Sequence, residues 1–239
     1  MNCLRSLKYI EKINSKYKRH GLETILIHPP EWEFEKSSSN IIDAFRKYKI
    51  RIPAIIDKKQ IIIKKFKINF WPTQLLISCG EIVYKHVGEG NYRELENIIA
   101  QNLRITAKNI FNKEPKYSEF PAIYCGKRKK GKVMRLNKKL RFGILYKEGR
   151  WAQKNEYLKS LGNDAALTLL TKGAMANFVA ESRNKKSIRI TVILDKKFFK
   201  KIEISKPRLY NLTMQKNNKQ KIMKIIMPKN LCVYSFSFQ

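Results

Sequence analysis

The sequence predicts two units of different class. An α/β unit covers residues 1–103, and an all-β sandwich covers 122–239 after a linker at 104–121. Three observations carry this. Helical and strand-like stretches alternate through the first half as α-β-α-β-α-β-β-α, the pattern of a layered α/β architecture. Beyond about residue 144 the apolar period drops to two, in segments repeating at 9–13 residues, as in antiparallel sandwiches. Between these regions lies a stretch of mixed composition punctuated by Pro115 and Pro121.

In chain order, Leu4, Leu7, Ile10, Ile13 and Tyr17 fall on one helical stripe that stops at Gly21. Residues 22–28 read as a buried strand ended by Pro29 and Pro30. Ser37, Ser38 and Ser39 offer N-caps for a helix with Ile41, Ile42, Phe45 and Tyr48 on one face. Residues 53–57 form a short strand, and Ile62, Ile63 and Phe66 mark a brief helix. Strands at 74–78 and 81–87 flank a turn at Cys79-Gly80. After Gly88-Glu89-Gly90, Asn91 with Glu94 has the spacing of a capping box for a helix bearing Tyr92, Leu95, Ile98, Ile99 and Leu103.

In the second half, Ile188, Ile190, Val192 and Leu194 alternate with mostly polar residues, and Cys232, Tyr234, Phe236 and Phe238 alternate cleanly. Segments 165–171, 174–180, 198–204, 208–214 and 221–227 read as further strands. No internal repeat is present.

The formal net charge of +32 is unevenly placed: residues 1–103 carry +7 and residues 104–239 carry +25, including a basic stretch over 127–141. Such an excess suits an anionic partner such as nucleic acid, acidic headgroups or an acidic polymer. The spread of lysines along the whole second half favours the plainer reading, Lys as the default solvated surface residue of a lysine-rich proteome. No nucleic-acid motif is present. No run of 18 apolar residues exists, and the start lacks an apolar secretory core, so the 239 residues read as soluble and without an export signal. Cys3, Cys79, Cys125 and Cys232 lie far apart with no CxxC pair, and with His20, His28 and His86 they form no clustered ligand set. Neither a metal nor a cofactor is expected.

The first half resembles the thioredoxin superfamily, and in particular the redoxin domain of DipZ-type thiol:disulfide interchange (cytochrome c biogenesis) proteins. Asn2-Cys3-Leu4-Arg5 resembles the end of that family's Cys-x-Asn-Cys-Leu-Arg motif. Residues 28–35 resemble its His-x-Pro-Glu-Phe-x-Phe-Glu segment. Phe70-Trp71-Pro72 is similar to its Tyr-Trp-Pro, and Gly88-Glu89-Gly90 to its Gly-Glu-Gly. The likeness continues at Pro121-Ala122-Ile123-Tyr124, Gly149-Arg150-Trp151, Pro207-Arg208-Leu209-Tyr210 and the closing Tyr234–Phe238. In that family the C-terminal module resembles a carbohydrate-binding jelly roll. Sugar-binding faces need exposed aromatic platforms, and Trp151, Tyr157 and Tyr210 read first as core residues.

The resemblance implies a role for each matched residue. A dithiol of this type carries an attacking cysteine at a helix N-terminus, where unpaired N–H groups stabilise its thiolate, and a resolving cysteine three residues later. Cys3 takes the resolving position; the attacking position falls at residue 0, and the strand that precedes the motif in the family is also missing. A start upstream of Met1 and a genuine truncation both fit. As written, the chain is expected to be impaired in dithiol exchange. Pro72 matches the family's cis-proline, with Trp71 and Thr73 lining the substrate groove. His28 and Glu31 are polar groups near the site or loop stabilisers. Implied partners are dithiol or disulfide proteins, an electron-donating membrane protein, and a glycan or other anionic polymer for the C-terminal domain. The implied location is extracytoplasmic or membrane-associated, or cytoplasmic if Met1 is the true start.

Overall fold

The computed structural model of the protein describes residues 2–108, 110–111, 120–129, 131–136, 139–173, 175–184, 186–214 and 219–238. Met1, Pro115 and parts of the linker and the basic stretch lie outside the described residues. The chain divides into two compact units, Met1–Tyr117 and Ser118–Gln239.

The first unit opens with α1 (Asn2–Tyr17), whose apolar stripe seats Ile13 and Tyr17 in the core. Gly21 ends the turn that follows, at φ 103, a left-handed conformation open to glycine. The strand expected over 22–28 is shorter: β1 covers only Leu26–His28. The Leu22 amide is used instead to cap α1, bonding the Tyr17 carbonyl at 3.2 Å, and Ile25 is exposed. Then follow α2 (Ser38–Tyr48), β2 (Ala54–Ile56), α3 (Ile61–Lys65), β3 (Thr73–Ser78), β4 (Glu81–Val87) and α4 (Tyr92–Asn102). β1 and β2 pair in parallel, and β3 and β4 form an antiparallel hairpin. Among the described residues these remain two separate two-stranded sheets.

Two expected caps do not form. The Ser37 hydroxyl bonds Ser39 Oγ at 2.9 Å and makes no bond to the α2 backbone. Asn91 sits at φ 53, outside the extended region an N-cap needs, and its amide donates to Glu94 Oε2 at 3.0 Å. α1 and α4 share a core in which Tyr9 stacks on Tyr92 with ring centroids 4.3 Å apart.

The described part of the stretch read as a linker is packed. Phe111 is buried, with Ile105, Ala107 and Ile110 against the same core. Glu96, fully buried on α4, accepts bonds from Tyr17 Oη at 2.7 Å and from the Ile110 amide at 2.8 Å. Sequence composition does not reveal this docking, because it combines these apolar contacts with a carboxylate 14 residues earlier on α4.

The second unit contains β5 (Ile123–Tyr124), β6 (Lys132–Arg135), β7 (Ile144–Glu148), β8 (Trp151–Gln153), β9 (Leu158–Ser160), β10 (Ala165–Thr171), β11 (Met175–Ser182), β12 (Ile188–Leu194), β13 (Lys197–Ile204), β14 (Arg208–Met214), β15 (Lys221–Met227) and β16 (Leu231–Phe238). One sheet has the order β13-β12-β15-β10-β7-β6. The other runs β14-β11-β16-β9-β8, with β5 also on β16. Pairing is antiparallel except for β6 with β7, which is parallel. The pairs β9–β16, β10–β15, β11–β14 and β12–β13 nest inside one another. One core takes Leu167, Ile190 and Ile225 from the first sheet and Phe178, Val233 and Phe236 from the second.

The even alternation expected along Cys232–Phe238 is broken by a bulge. Val179 pairs with Ser235 but Ala180 with Val233, so Tyr234 is the extra residue. Val233, Phe236 and Phe238 therefore enter the core cluster, whereas Cys232 and Tyr234 do not. Cys125 and Cys232 are both buried and free. Tyr210 is buried, with its hydroxyl donating to the Lys206 carbonyl at 2.7 Å.

Gly126 approaches another backbone so closely that a Cβ would lie 2.3 Å from the Asn155 carbonyl oxygen and 2.4 Å from Glu156 C. Gly126→Ala is therefore expected to destabilise this unit by about 2–3 kcal/mol, as overpacking against main chain does. Urea unfolding followed by the circular dichroism of the β signal checks this; an unchanged midpoint would refute it.

Candidate functional site

Cys3 lies in the first turn of α1, half-buried. Two residues on, Arg5 reaches Glu89 in the loop after β4, with Nε–Oε2 at 2.7 Å and Nη2–Oε1 at 2.5 Å. Both side chains are nearly enclosed, 14% and 6% exposed. Ser6 Oγ meets Tyr92 Oη at 2.6 Å. The Gly88 amide in turn bonds the Pro72 carbonyl at 2.8 Å, and Gln74 Nε2 bonds the Gly90 carbonyl at 3.2 Å. These bonds link the start of α1, through the Gly88–Gly90 loop, to the beginning of β3.

The Trp71–Pro72 peptide is cis. Trp71 is half-buried, Phe70 is 71% exposed, and Thr73 Oγ1 donates to the Phe70 carbonyl at 2.6 Å. Of the residues singled out from sequence, Pro72, Trp71 and Thr73 are thus contiguous, and Cys3 is joined to them through the Arg5–Glu89 bridge.

The loop after β1 supplies the electrostatics. Burial foremost, with the charges of Glu31 and Glu35 acting in the same direction, pushes the Cys3 thiol up to about 11. Burial also pushes the Glu35 carboxyl up to about 7, although its Oε2 accepts bonds from the Glu31 amide at 2.6 Å and the Trp32 amide at 3.4 Å. Burial holds His28 below its ordinary value, and its Nε2 is buried with no bond partner among the described residues. Glu31 and His28 were visible as polar residues after a strand. Glu35 was not singled out; its only signal was its place at the end of the 28–35 segment.

Glu35 makes a pH prediction. Its carboxyl holds a proton longer in the folded chain than in the unfolded one, so its contribution is fully present below about pH 4.5 and lost as pH rises through about 7. His28 acts in the opposite sense, losing stability as pH falls below about 6.5. Comparison with Glu35→Gln isolates the carboxyl. Relative to that variant, the parent chain should lose about 3 kcal/mol between pH 4.5 and 8. A pH-independent difference in urea midpoints would show that Glu35 titrates normally.

Among the described residues there is no group of three or more metal-ligating side chains, and no helix is long and apolar enough to cross a membrane.

Residues 127–238 match the family described as "Thioredoxin like C-terminal domain". The chain is 25% identical to Protein DipZ of Mycobacterium bovis over 195 residues, covering 71% of this chain and 28% of that protein. It is 33% identical over 87 residues to the thiol-disulfide oxidoreductase ResA of Halalkalibacterium halodurans, covering 36% of this chain and 47% of that one. The chain thus spans less than half the length of either relative. Among solved structures, a family two carbohydrate esterase from Cellvibrio japonicus is 18% identical with a TM-score of 0.36, covering 38% of this chain and 29% of that one. That likeness is too low to carry an argument.

Proposed function

Because the chain belongs to the DipZ-type thioredoxin-like family, we propose that its first unit is a thiol–disulfide exchange module acting through Cys3, with Pro72, Trp71 and Thr73 forming the substrate groove. The observation that carries this is the placement of Cys3 in the first turn of α1, tied through Arg5, Glu89 and Gly88 to the Pro72 segment. A thiol held near 11 is a poor first nucleophile at neutral pH and suits the resolving role. In that role its thiolate attacks the mixed disulfide at the sulfur of an attacking cysteine, releases the substrate thiolate and closes an internal disulfide. Glu35, titrating near neutrality, is the group suited to take the proton from Cys3.

Residues 1–239 hold no cysteine three positions before Cys3. By themselves they support only a mixed disulfide: Cys3 thiolate displaces one substrate thiolate and keeps the other half. β1 and β3 each close a two-stranded sheet, which favours a further strand between them, as the family resemblance implies. Protein dithiols and disulfides are the proposed substrates, with an electron-donating membrane partner and an extracytoplasmic location. The nested strand pairs of the second unit support a jelly-roll reading.

Incubation of the 239-residue chain with a peptide disulfide, followed by peptide mapping, should find a slow mixed disulfide at Cys3 that accelerates with pH. Cys3→Ser should abolish it, and Cys79→Ser should leave it. A chain extended before Met1 by an apolar strand ending in cysteine should reduce disulfides catalytically. An inactive extended chain would count heavily against the reading.

A second reading, a binding module for a glycan or anionic polymer, rests on the +25 charge of residues 104–239. A salt titration against heparin tests it, since counterion release demands a steep response.

A further inference from the structure

We propose that the second unit carries a binding pocket for a phosphomonoester with an aromatic or apolar body, formed where β6, β7 and β8 meet. A cavity of about 680 Å³ opens there, lined by Arg135, Lys147 and Arg150 together with Trp151, Leu136 and Leu161. Its size is that of a small-molecule site.

The arrangement of charge is what calls for a ligand. Arg135 on β6 and Lys147 on β7 are direct register partners in the parallel pair, two cations side by side on neighbouring strands. Like charges so placed destabilise a sheet. Arg150 joins them from the turn that follows β7. Among the described residues none of the three makes an ion pair. The carboxylate in the lining, Glu148, is already engaged by Lys224 Nζ at 2.9 Å and by Thr168 Oγ1 at 3.2 Å. The open cavity is therefore lined by three cations, exposed Arg135 and Arg150 and half-buried Lys147, with the Asp164 carboxylate near Arg150 the nearby acidic group not engaged by another side chain among the described residues.

The anion that answers this is divalent. A monocarboxylate would neutralise one cation, whereas a phosphomonoester brings a charge of about −1.5 to −2 and three acceptor oxygens. Two guanidinium forks can each grip it in bidentate fashion. The other wall is apolar: Leu136 and Leu161 are exposed, 39% and 37%, and Trp151 is half-buried. The indole is held in place by its Nε1–H donating to the Glu148 carbonyl at 2.8 Å. That wall gives an aromatic or apolar ester body a surface to lie on. The pocket is independent of thiol exchange and narrower than polymer binding, so failure of either of those leaves it standing.

Titration calorimetry of the full chain with phenyl phosphate at low salt tests the proposal. One saturable site is expected, with benzoate and inorganic phosphate each binding at least tenfold more weakly. Arg135→Gln and Arg150→Gln should each weaken phenyl phosphate at least tenfold, and Arg150→Lys by less. Should a variant fail to fold, amide shift mapping of the parent chain replaces it, with perturbations expected around 135–136, 147–151 and 161. Phosphatidylcholine vesicles carrying phosphatidic acid separate two sources of the same group. Retention that phenyl phosphate displaces assigns a lipid headgroup; binding of the free ester without retention assigns a soluble one. No saturable binding, unchanged affinity in a folded Arg135→Gln/Arg150→Gln chain, or shifts elsewhere would overturn the proposal.

Discussion

Replacing Glu89 by alanine should lower the stability of the first unit by about 3–5 kcal/mol, the cost of removing one side of a buried, doubly hydrogen-bonded ion pair. Arg5 and Glu89 are 14% and 6% exposed and joined by two short bonds, so water cannot take the carboxylate's place without opening the loop. The reverse change, Arg5→Ala, should cost a similar amount, and the double change to Arg5→Met with Glu89→Leu distinctly less, because no lone charge remains. Urea unfolding of the three variants decides this. Equal losses for single and double changes would mean that packing, not charge, holds the junction. The consequence for chemistry is direct: the bridge fixes the start of α1 to the loop bonded to Pro72, so Glu89→Ala should also slow mixed-disulfide formation at Cys3.

The second large effect is expected at Glu96. Its carboxylate is completely enclosed and joins three parts of the unit, α4 itself, Tyr17 of α1 and the backbone at Ile110. Glu96→Ala removes the acceptor of both the Tyr17 hydroxyl proton and the Ile110 amide, while the Tyr17 oxygen still accepts from the Lys108 amide at 3.3 Å. Each buried group left unmade costs about 1–3 kcal/mol, for a combined loss of about 3–4 kcal/mol. Glu96→Gln retains an acceptor and should cost markedly less. Hydrogen exchange at the Ile110 amide reports the contact itself: protection in the parent and fast exchange in Glu96→Ala are expected. Protection that survives the substitution would place the hold on 105–111 in its apolar contacts alone.

These two residues show what could and could not be seen in the chain. The stripe Leu4–Tyr17 announced α1, because a helix that buries one face must repeat its apolar residues at that spacing. The strand over 221–227 was legible for the corresponding reason, whereas 165–171, buried at every position, stood out only as a short apolar run. Strand 22–28 was overextended because an apolar run carries no information about whether a pairing partner exists, and the Leu22 amide was already spoken for by α1. The Asn91–Glu94 spacing suited a capping box, but the left-handed backbone at Asn91 is set by the Gly88–Gly90 loop and invisible in a spacing. At the site, Cys3 and the Pro72 segment were marked by their own motifs. Glu35 was not, since a carboxyl near 7 differs from an ordinary one only in what surrounds it. The polar half of the 105–111 docking likewise rests on a buried carboxylate that resembles any other glutamate on a helix.

The position of β16 has a consequence for how this protein is made. It lies inside its sheet, between β11 and β9, and also carries β5, the first strand of the unit. Every strand before it can be synthesised while its central partner is still in the ribosome. The second unit should therefore stay open, with the apolar faces of β9 and β11 uncovered, until residue 238 has cleared the exit tunnel. Closure of the second unit thus waits on its last strand, whereas the first unit does not need that strand to close.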